Sequence, residues 1–339
     1  MNYINIKNSR SKHNLISLNG LICLFITIIM ALIISNPAKY INSCYNGLLV
    51  WVNNVLPCLF PFLVCTKLLT ELNVFNKFSN YFKKIVYKLF KAPPIASYVL
   101  LISMISGYPV GAKVVADLYS SGKITSKTAN KLCTFCCTSG PIFIVGTVGT
   151  IMLKNTKLGV IILLSHLLSN IINGVIFRNA FVEKDNKQTD DELLKTDYGQ
   201  ALSKSMQNAV LSVLVVGGFI SIFYLLIDVL TDIHILNTFS NLINIILSPL
   251  KIKIGSGISS GIIEITRGCL EISKSNCSNL IKCVTCTGII TFGGISIHCQ
   301  SLSFLSQAKI NIKFYFLQKL VHTILSIIIC IGLCTIFLH

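Results

Sequence analysis

The apolar runs of the chain constrain its fold more than any other feature. Residues 18–34, 44–69, 158–177, 209–230 and 314–338 each form a largely apolar run. Runs of this length suit helices that cross a bilayer. With 53% hydrophobic and only 12% charged residues, the composition excludes an ordinary soluble domain. The sequence therefore predicts an all-α polytopic membrane protein.

Further apolar runs are interrupted by glycine and proline. The run 95–119 contains Ser106-Gly107-Tyr108-Pro109 at its middle, and each half has about ten to twelve residues, too few to span a bilayer. We therefore predict a re-entrant hairpin over 95–119 and a second over 255–272. Two other spans, 132–153 and 280–304, are predicted to break at Ser139-Gly140-Pro141 and at Phe292-Gly293-Gly294. Non-helical backbone at membrane depth is tolerated where it faces protein or a water-filled cavity.

The two hairpins belong to a sequence repeat. At an offset of 154 residues Ser106-Gly107 falls on Ser260-Gly261, Lys113 on Arg267 and Gly140 on Gly294, and an offset of 156 places His166 on His322. Each copy contributes three spans and a hairpin, and an odd number of spans inserts the second copy upside down. We predict two inverted repeats, each with a re-entrant hairpin and a broken transmembrane helix, plus an N-terminal span.

The predicted boundaries follow from this repeat. Residues 1–36 form a cytoplasmic N-terminus with the first span, 37–178 the first repeat, and 205–339 the second, inverted repeat. Residues 179–204 are predicted to be an acidic cytoplasmic linker, because six of the twelve acidic residues lie between 178 and 205.

Charge and cysteine content point to a membrane partner. The net charge of +17 is spread over membrane-flanking loops and forms no continuous basic face, so the predicted partner is the lipid bilayer and not nucleic acid. Residues 76–91 carry five lysines among apolar residues and predict an amphipathic helix at the cytoplasmic interface. The fourteen cysteines lie mostly inside apolar runs, which favours small packing residues over disulfides.

No motif predicts a cofactor or an enzyme. Cys133-x-x-Cys136-Cys137 and Cys283-x-x-Cys286 have metal-like spacing, but no matching histidine or second pair accompanies them, so we predict no metal. The chain has no nucleophile elbow, phosphate loop or metalloprotease helix, and we expect no catalytic activity.

We predict one substrate site between the hairpins and the breaks. Charged groups are costly at membrane depth, so Lys113 and Arg267 are the candidate cations for an anionic substrate. Alternatively, each pairs with a nearby acid, Asp117 or Glu264. The predicted substrate-binding residues are the polar and small residues of these segments: Ser106, Gly107, Tyr108, Pro109, Gly111, Lys113, Thr138, Ser139, Gly140, Glu264, Thr266, Arg267, Gly293, Gly294, Ser296, His298 and Gln300. His166 and His322 are either packing histidines or proton-relay groups.

Three of these motifs carry a resemblance to a known family. The run 106–119, which begins Ser-Gly-Tyr-Pro-Val-Gly-Ala-Lys, the break Thr138-Ser139-Gly140-Pro141 and the run 292–296 resemble the sporulation integral membrane proteins of the YlbJ/SpoVV family. The resemblance covers about residues 40–335. These proteins carry two nucleoside-recognition or "gate" domains, similar to part of the concentrative nucleoside transporters. Where the family favours asparagines before Ser-Gly-Pro, this chain has Cys136-Cys137-Thr138.

The resemblance implies a specific cargo and location. It implies transport of dipicolinic acid across the outer forespore membrane of a sporulating bacterium, from the mother-cell side. The residues alone lead to a transporter of a small anion, and dipicolinate, a rigid dianion, fits two cations and two half-helix N-termini. The alternatives are transport of nucleosides or another organic acid, or a non-transporting membrane scaffold of sporulation. A second copy of the chain or other sporulation membrane proteins remain open as partners.

Overall fold

A computed structural model describes residues 7–72, 74–183 and 197–338, with side chains from residue 19 onward except 75–79. Its helices are α1 (Lys7–Ser35), α2 (Pro37–Val50), α3 (Leu56–Glu71), α4 (Val74–Phe90), α5 (Ile95–Ser106), α6 (Val110–Ser120), α7 (Ser126–Cys136), α8 (Thr156–Ile176), α9 (Tyr198–Asp232), α10 (Ile235–Leu247), α11 (Gly255–Ile263), α12 (Ile265–Lys274), α13 (Asn279–Phe292), α14 (Gly294–Leu305) and α15 (Ile312–Phe337). A π-helical turn, Trp51–Val55, joins α2 to α3, and a longer π-helix, Ile142–Met152, follows α7. These ranges contain no strand, so the predicted all-α fold is confirmed.

The helices follow one order twice along the chain. In 37–176 and again in 198–337, a long apolar helix precedes an amphipathic helix, a helical hairpin, a broken helix and a final helix. The first hairpin, α5–α6, turns between Ser106 and Val110, and the second, α11–α12, turns at Glu264. The first broken helix is interrupted after Cys136 and the second at Gly293. The predicted hairpins and broken helices are therefore confirmed.

Several helices are long and apolar enough to cross a membrane. Within the described part of the chain these are five: Pro37–Glu71, Thr156–Ile176, Tyr198–Asp232, Asn279–Ala308 and Ile312–Phe337. A sixth results if Asn80–Phe90 and Ile95–Ser106, which meet at 96°, count as one span. The apolar parts of α1 and of the first broken helix are shorter. The protein is a multi-pass integral membrane protein.

The first helices of the two copies run antiparallel. The continuous unit α2–α3 packs along α9, and ion pairs mark both ends of the contact. The Lys39 Nζ lies 2.5 Å from Asp232 Oδ1, whereas Lys204 Nζ lies 2.9 Å from Glu71 Oε2. The start of α2 therefore meets the end of α9, and the end of α3 meets the start of α9.

The last helices of the two copies, α8 and α15, are antiparallel as well. Asn173 Nδ2 donates to Gln318 Oε1 at 3.0 Å, and His322 Nε2 donates to the His166 carbonyl at 3.2 Å. Residue numbers thus rise along α8 as they fall along α15. Antiparallel pairing of corresponding helices is what an inverted repeat predicts. Inversion across a membrane and the predicted domain boundaries stay predictions.

Glycine allows the π-helix Ile142–Met152 to lie directly against α8. A Cβ placed on Gly149 would be 2.6 Å from the Gly159 Cα, so the two backbones are in contact. Close backbone approach between small residues is a common packing device in membrane helices. It fixes the half-helix that follows the first break on one face of α8.

The predicted acidic linker falls partly outside the described residues, since 184–196 are not described. On its C-terminal side α9 begins at Tyr198, inside the predicted linker, where the Asp197 carboxylate accepts the Gly199 N–H at 2.9 Å. On its N-terminal side the Glu183 carboxylate accepts the hydroxyls of Thr125 and Thr128 at 2.6 and 2.7 Å. The described N-terminal end of the predicted linker is therefore anchored at the start of α7, and the bounds of the linker stay a prediction.

Lys131 should stabilise the contact between α7 and α8. It is buried, and its Nζ donates to the carbonyls of Phe177, Arg178 and Ala180 at 3.2, 2.5 and 3.0 Å, beyond the C-terminal end of α8. Each hydrogen bond from a charged donor contributes about 1.5–3 kcal/mol, part of which is offset by burial of the ammonium. We expect Lys131→Met to lower the free energy of unfolding by about 2–4 kcal/mol.

Thermal unfolding in detergent measures this effect. Lys127→Met is the matched control, because Lys127 lies on the same helix and is exposed. Equal melting temperatures for the two variants would contradict the role given to Lys131.

Candidate substrate site

A cavity of about 50 Å³ lies where the hairpins and the broken helices of both copies meet. Its polar and glycine wall residues come from four of the predicted segments: Ser106, Tyr108, Ser139, Gly140, Glu264, Thr266 and Gln300. Val55, Leu59, Phe143, Val216, Ile220, Ile265 and Ile297 complete the wall. A few polar groups in an apolar wall are typical of small-molecule sites.

The tip of the first hairpin rests on the first break. Gly107 has φ +71°, and a Cβ there would lie 2.1 Å from the Gly140 N. A Cβ on Gly111 would lie 2.2 Å from the Cys136 carbonyl oxygen, and Thr138 Oγ1 donates to the Ser103 carbonyl at 2.9 Å. Gly107, Gly111 and Thr138, which the sequence placed in the site, therefore hold the tip against the break and are not in the cavity wall. Pro109 ends the tip directly before α6.

The second break is shaped by two glycines in the left-handed region. Gly293 and Gly294 have φ +99° and +63°, and they separate α13 from α14. A Cβ on Gly294 would lie 3.0 Å from the Gly261 carbonyl oxygen, so this break packs on the second hairpin. Ser296, one turn before Gln300, is buried and accepts a hydrogen bond from Gln300 Nε2 at 3.4 Å. It thereby orients a wall residue.

His298 lies among aromatic rings and not in the cavity wall. Its Nδ1 is 3.1 Å from the Tyr315 hydroxyl, and the rings of Phe292 and Phe316 lie 5.0 and 4.9 Å from the imidazole. The sequence predicted substrate contact for His298, whereas its surroundings in the structure are those of a packing histidine.

Glu264 places a carboxylate at the cavity. It is buried at the tip of the second hairpin and caps α12, because its Oε2 accepts the Arg267 N–H at 2.9 Å and the Thr266 hydroxyl. Acceptors at this position satisfy the free N–H groups of the first turn and interact favourably with the helix dipole. This capping explains how an acid is held at this depth.

The structure does not bring Lys113 and Arg267 together in the cavity wall. The Arg267 guanidinium lies 2.6 Å from Asp228 and 3.1 Å from Glu271, and it stacks over Tyr224. Its ion-pair partners are thus these two acids, and Glu264 contacts only its backbone. Lys113 is half-buried on α6 and does not line the cavity.

The neighbours of Arg267 explain its placement. Besides its two acid partners, its guanidinium donates to the Tyr224 carbonyl at 3.2 Å. Asp228 and Tyr224 both lie on α9, the first helix of the same copy. Arg267 is therefore held against α9 and is not part of the cavity wall.

Sequence reasoning missed Lys319, a buried cation behind the cavity wall. Its Nζ donates to the Tyr108 hydroxyl and to the Cys137 carbonyl, and it lies 4.8 Å from the centroid of the Tyr108 ring. Among the residues that the structure describes, no carboxylate lies within ion-pair distance of Lys319. A signal was present, because Lys319 is the one lysine in the apolar run 314–338.

The cysteines form two buried thiol clusters. The Sγ atoms of Cys133, Cys136 and Cys137 lie within 4.8 Å of one another, as do those of Cys283, Cys330 and Cys334. Three thiolates could hold a soft metal ion such as Cu(I) or Zn²⁺. The predicted spacing identified the first cluster, whereas in the second Cys283 groups with two cysteines of α15 and not with Cys286.

The comparisons with known proteins agree with this arrangement. No family model matches the chain. The chain is 27% identical to the sporulation integral membrane protein YlbJ of Bacillus subtilis (strain 168) over 330 residues, which cover 91% of this chain and 81% of YlbJ. The resemblance to the YlbJ sporulation proteins is confirmed. Like YlbJ, the chain is an integral membrane protein. The names of YlbJ and of the solved structures that resemble this chain describe membrane proteins and not enzymes.

Solved structures define the fold. The chain is similar to CNTnw, a concentrative nucleoside transporter, in an inward-facing substrate-bound state, with a TM-score of 0.57 and 14% identity over 96% of this chain and 87% of CNTnw. A CNTnw variant in an intermediate state gives a TM-score of 0.56, again with 14% identity, over 96% and 86% of the chains. At this identity the likeness shows the fold alone. The protein is therefore similar to a sporulation membrane protein and has a transporter fold.

Proposed function

We propose that this protein transports a small organic anion, and the observation that carries the proposal is Lys319. A buried ammonium without a carboxylate partner is costly, because neutral acceptors repay only part of its desolvation. An anion in the cavity would repay more of it. Tyr108, a residue of the cavity wall, accepts from Lys319 and donates its own proton to the Cys137 carbonyl at 2.6 Å. Lys319 would therefore attract a bound carboxylate through its charge and not through a hydrogen bond from Tyr108.

The first break supplies a further group for an anion. The Ser139 hydroxyl belongs to a wall residue and is buried without a hydrogen-bond partner among the described residues. Buried polar atoms are nearly always paired, so an unpaired one at a cavity favours a ligand. A half-helix that starts after the break also points its positive end toward this region.

The size of the cavity supports transport by alternating access. Its volume is about 50 Å³. A cavity that binds benzene measures roughly 150 Å³. A planar aromatic ring therefore needs the cavity to widen, and the hairpin tips in its wall are the segments whose displacement would widen it. Movement of repeats around a central site is the general plan of such transporters.

Within this class we propose dipicolinate as the substrate and the outer forespore membrane as the location. Dipicolinate joins a flat apolar ring to two carboxylates, which matches a largely apolar wall that contains Ser139 and has Lys319 behind it. The sequence relative YlbJ is a sporulation protein, and this supports a role in sporulation.

A nucleoside is the second candidate, and Glu264 favours it. A carboxylate in the wall accepts hydrogen bonds from ligand hydroxyl or amino groups, which nucleosides have and dipicolinate lacks. The fold neighbour is also a nucleoside transporter. A dianion can bind next to Glu264 only if Glu264 is protonated or accompanied by a cation, whereas a nucleoside can donate hydrogen bonds to the ionised carboxylate. The two candidates therefore require different charge states at Glu264.

Uptake by reconstituted protein tests the proposal. We expect saturable uptake of radiolabelled dipicolinate into proteoliposomes, reduced by unlabelled dipicolinate and not by uridine, because Lys319 favours anions. Protein-free liposomes provide the control. Inhibition by uridine together with direct uridine uptake would favour the nucleoside candidate. Absence of uptake of either compound by folded protein would overturn transport and favour a scaffold.

A further inference from the structure

His166 lies at the centre of the contact between the two copies. It is fully buried in α8. The Ser139 backbone N–H donates to His166 Nε2 at 3.0 Å, and His166 Nδ1 lies 3.0 Å from Thr291 Oγ1. Ser139 belongs to the first break, and Thr291 lies on α13, two residues before Gly293 at the second break. One imidazole thus bridges both broken helices.

The bridge fixes the tautomer of the imidazole. A backbone N–H can only donate, so Nε2 carries no proton. The neutral ring then has its proton on Nδ1, which donates to Thr291 Oγ1. Loss of the Thr291 hydroxyl would leave the buried Nδ1 proton without its acceptor, at a cost of about 1–3 kcal/mol that the ring avoids only by changing tautomer or moving, and either change breaks the bond from Ser139. The two hydrogen bonds are therefore interdependent, although their partners belong to different copies.

Two asparagines on the same face of α8 strengthen this assignment. Asn170 Nδ2 donates to the Phe135 carbonyl at 3.0 Å, and Asn173 Nδ2 donates to the Thr134 carbonyl at 2.9 Å. These carbonyls lie in the last turn of α7, where a helix end leaves acceptors without intrahelical partners. Helix α8 therefore satisfies both sides of the first break, and only His166 extends the network to the second.

We propose that His166 is a positioning residue that couples the two broken helices, so that displacement at either break loosens the other. This coupling rests on the proposed function in one respect: the cavity, with Ser139 in its wall, is the substrate site. His322 supports the arrangement, because its Nε2 donates to the His166 carbonyl and its ring centroid lies 5.1 Å from that of His166. The bridge is therefore held from α15 as well.

Hydrogen exchange of the full-length protein in detergent tests the coupling without any substrate. Thr291→Val removes the acceptor of the Nδ1 proton. We expect roughly tenfold faster exchange in the peptide covering 137–141 as well as in that covering 288–294, the effect of losing about one hydrogen bond. Thr285→Val is the matched control, because Thr285 lies on the same helix and its hydroxyl donates to the Ile281 carbonyl, one turn earlier in that helix, at 2.7 Å.

Substitutions at His166 complete the test. His166→Leu should accelerate exchange in both peptides, whereas His166→Gln, which offers one acceptor and one donor, should restore at least part of the protection. If Thr291→Val accelerates exchange only around 288–294, the coupling is overturned. If His166→Leu does not fold, Thr291→Val still decides. Because exchange needs no substrate, a negative result here leaves the transport proposal standing, and failed uptake leaves the coupling standing.

Discussion

Lys319→Met will weaken anion uptake about 10- to 100-fold, because opposite unit charges about 8 Å apart attract each other by about 2 kcal/mol at an effective dielectric constant of about 20. The loss appears as a raised KM for dipicolinate in proteoliposomes. The melting temperature should change little, because the Cys137 carbonyl still accepts the Tyr108 hydroxyl after the substitution and relief of the buried ammonium offsets its lost hydrogen bonds. Lost uptake in a protein of undiminished stability separates substrate binding from a structural role.

Two further variants sharpen the test of Lys319. Lys319→Arg keeps the charge but replaces a compact ammonium with a planar fork, so we expect an intermediate KM. Lys113→Met removes a half-buried cation on α6 that does not line the cavity, and its uptake should stay near that of the unmodified protein. Sporulating cells with Lys319→Met should retain dipicolinate in the mother cell. Unchanged uptake by Lys319→Met, or a stronger loss from Lys113→Met, would contradict this choice of cation.

Gly107→Ala should disrupt both the packing of the hairpin tip and transport. The residue combines φ +71° with a Cβ position 2.1 Å from the Gly140 N, so the hairpin tip has to move away from the break. Its φ of +71° with ψ of −164° is a conformation that essentially only glycine adopts, so alanine costs about 1–3 kcal/mol there and the backbone displacement adds to it. We expect a loss of at least about 3 kcal/mol in unfolding free energy, together with loss of uptake.

Gly122→Ala is the matched control for this prediction. Gly122 has φ +70°, and nothing lies within 4 Å of the Cβ that alanine would add. Its substitution should cost only the conformational part, about 1–2 kcal/mol, and leave uptake intact. Thermal unfolding in detergent and uptake by the same preparations compare the two. Equal destabilisation by both substitutions would show that the contact between the tip and the break is unimportant.

The hairpins and breaks could be predicted because their signals are local. Gly107, Pro109 and Gly140 interrupt apolar runs, and the backbone has to leave the helix near them whatever surrounds it. The convergence of these segments followed from the repeat. The fold was therefore accessible from short stretches of sequence and their spacing.

The cations of the site could not be predicted in the same way. Whether Lys113 or Arg267 reaches the cavity depends on which neighbouring helix its side chain meets, and the hairpins differ in length, since α5 has 12 residues and α11 has 9. A single sequence offset cannot align both hairpins and the final helices. Lys319 becomes adjacent to Tyr108 only when α15 packs against the first hairpin, a contact between residues 211 positions apart.

The buried network around His166 depends on tertiary packing as well. The sequence repeat aligned His166 with His322 and so made His166 a candidate functional residue. No spacing rule, however, shows that its two nitrogens meet a backbone N–H of one copy and a threonine of the other. Asn170 and Asn173 gave no sequence signal, because their partners are carbonyls that become available only when α7 ends at Cys136.

The length of α9 has a consequence for the exterior of the protein. Its 35 residues correspond to about 50 Å, whereas the hydrocarbon layer is about 30 Å thick. About 20 Å of the helix, nearly four turns, therefore lies outside the hydrocarbon layer, in the headgroup region or in water, and the α2–α3 unit paired with it at both ends extends equally far. Cleavage of these helix ends by a protease, or binding of an antibody fragment, in intact vesicles would show on which side of the membrane each end lies.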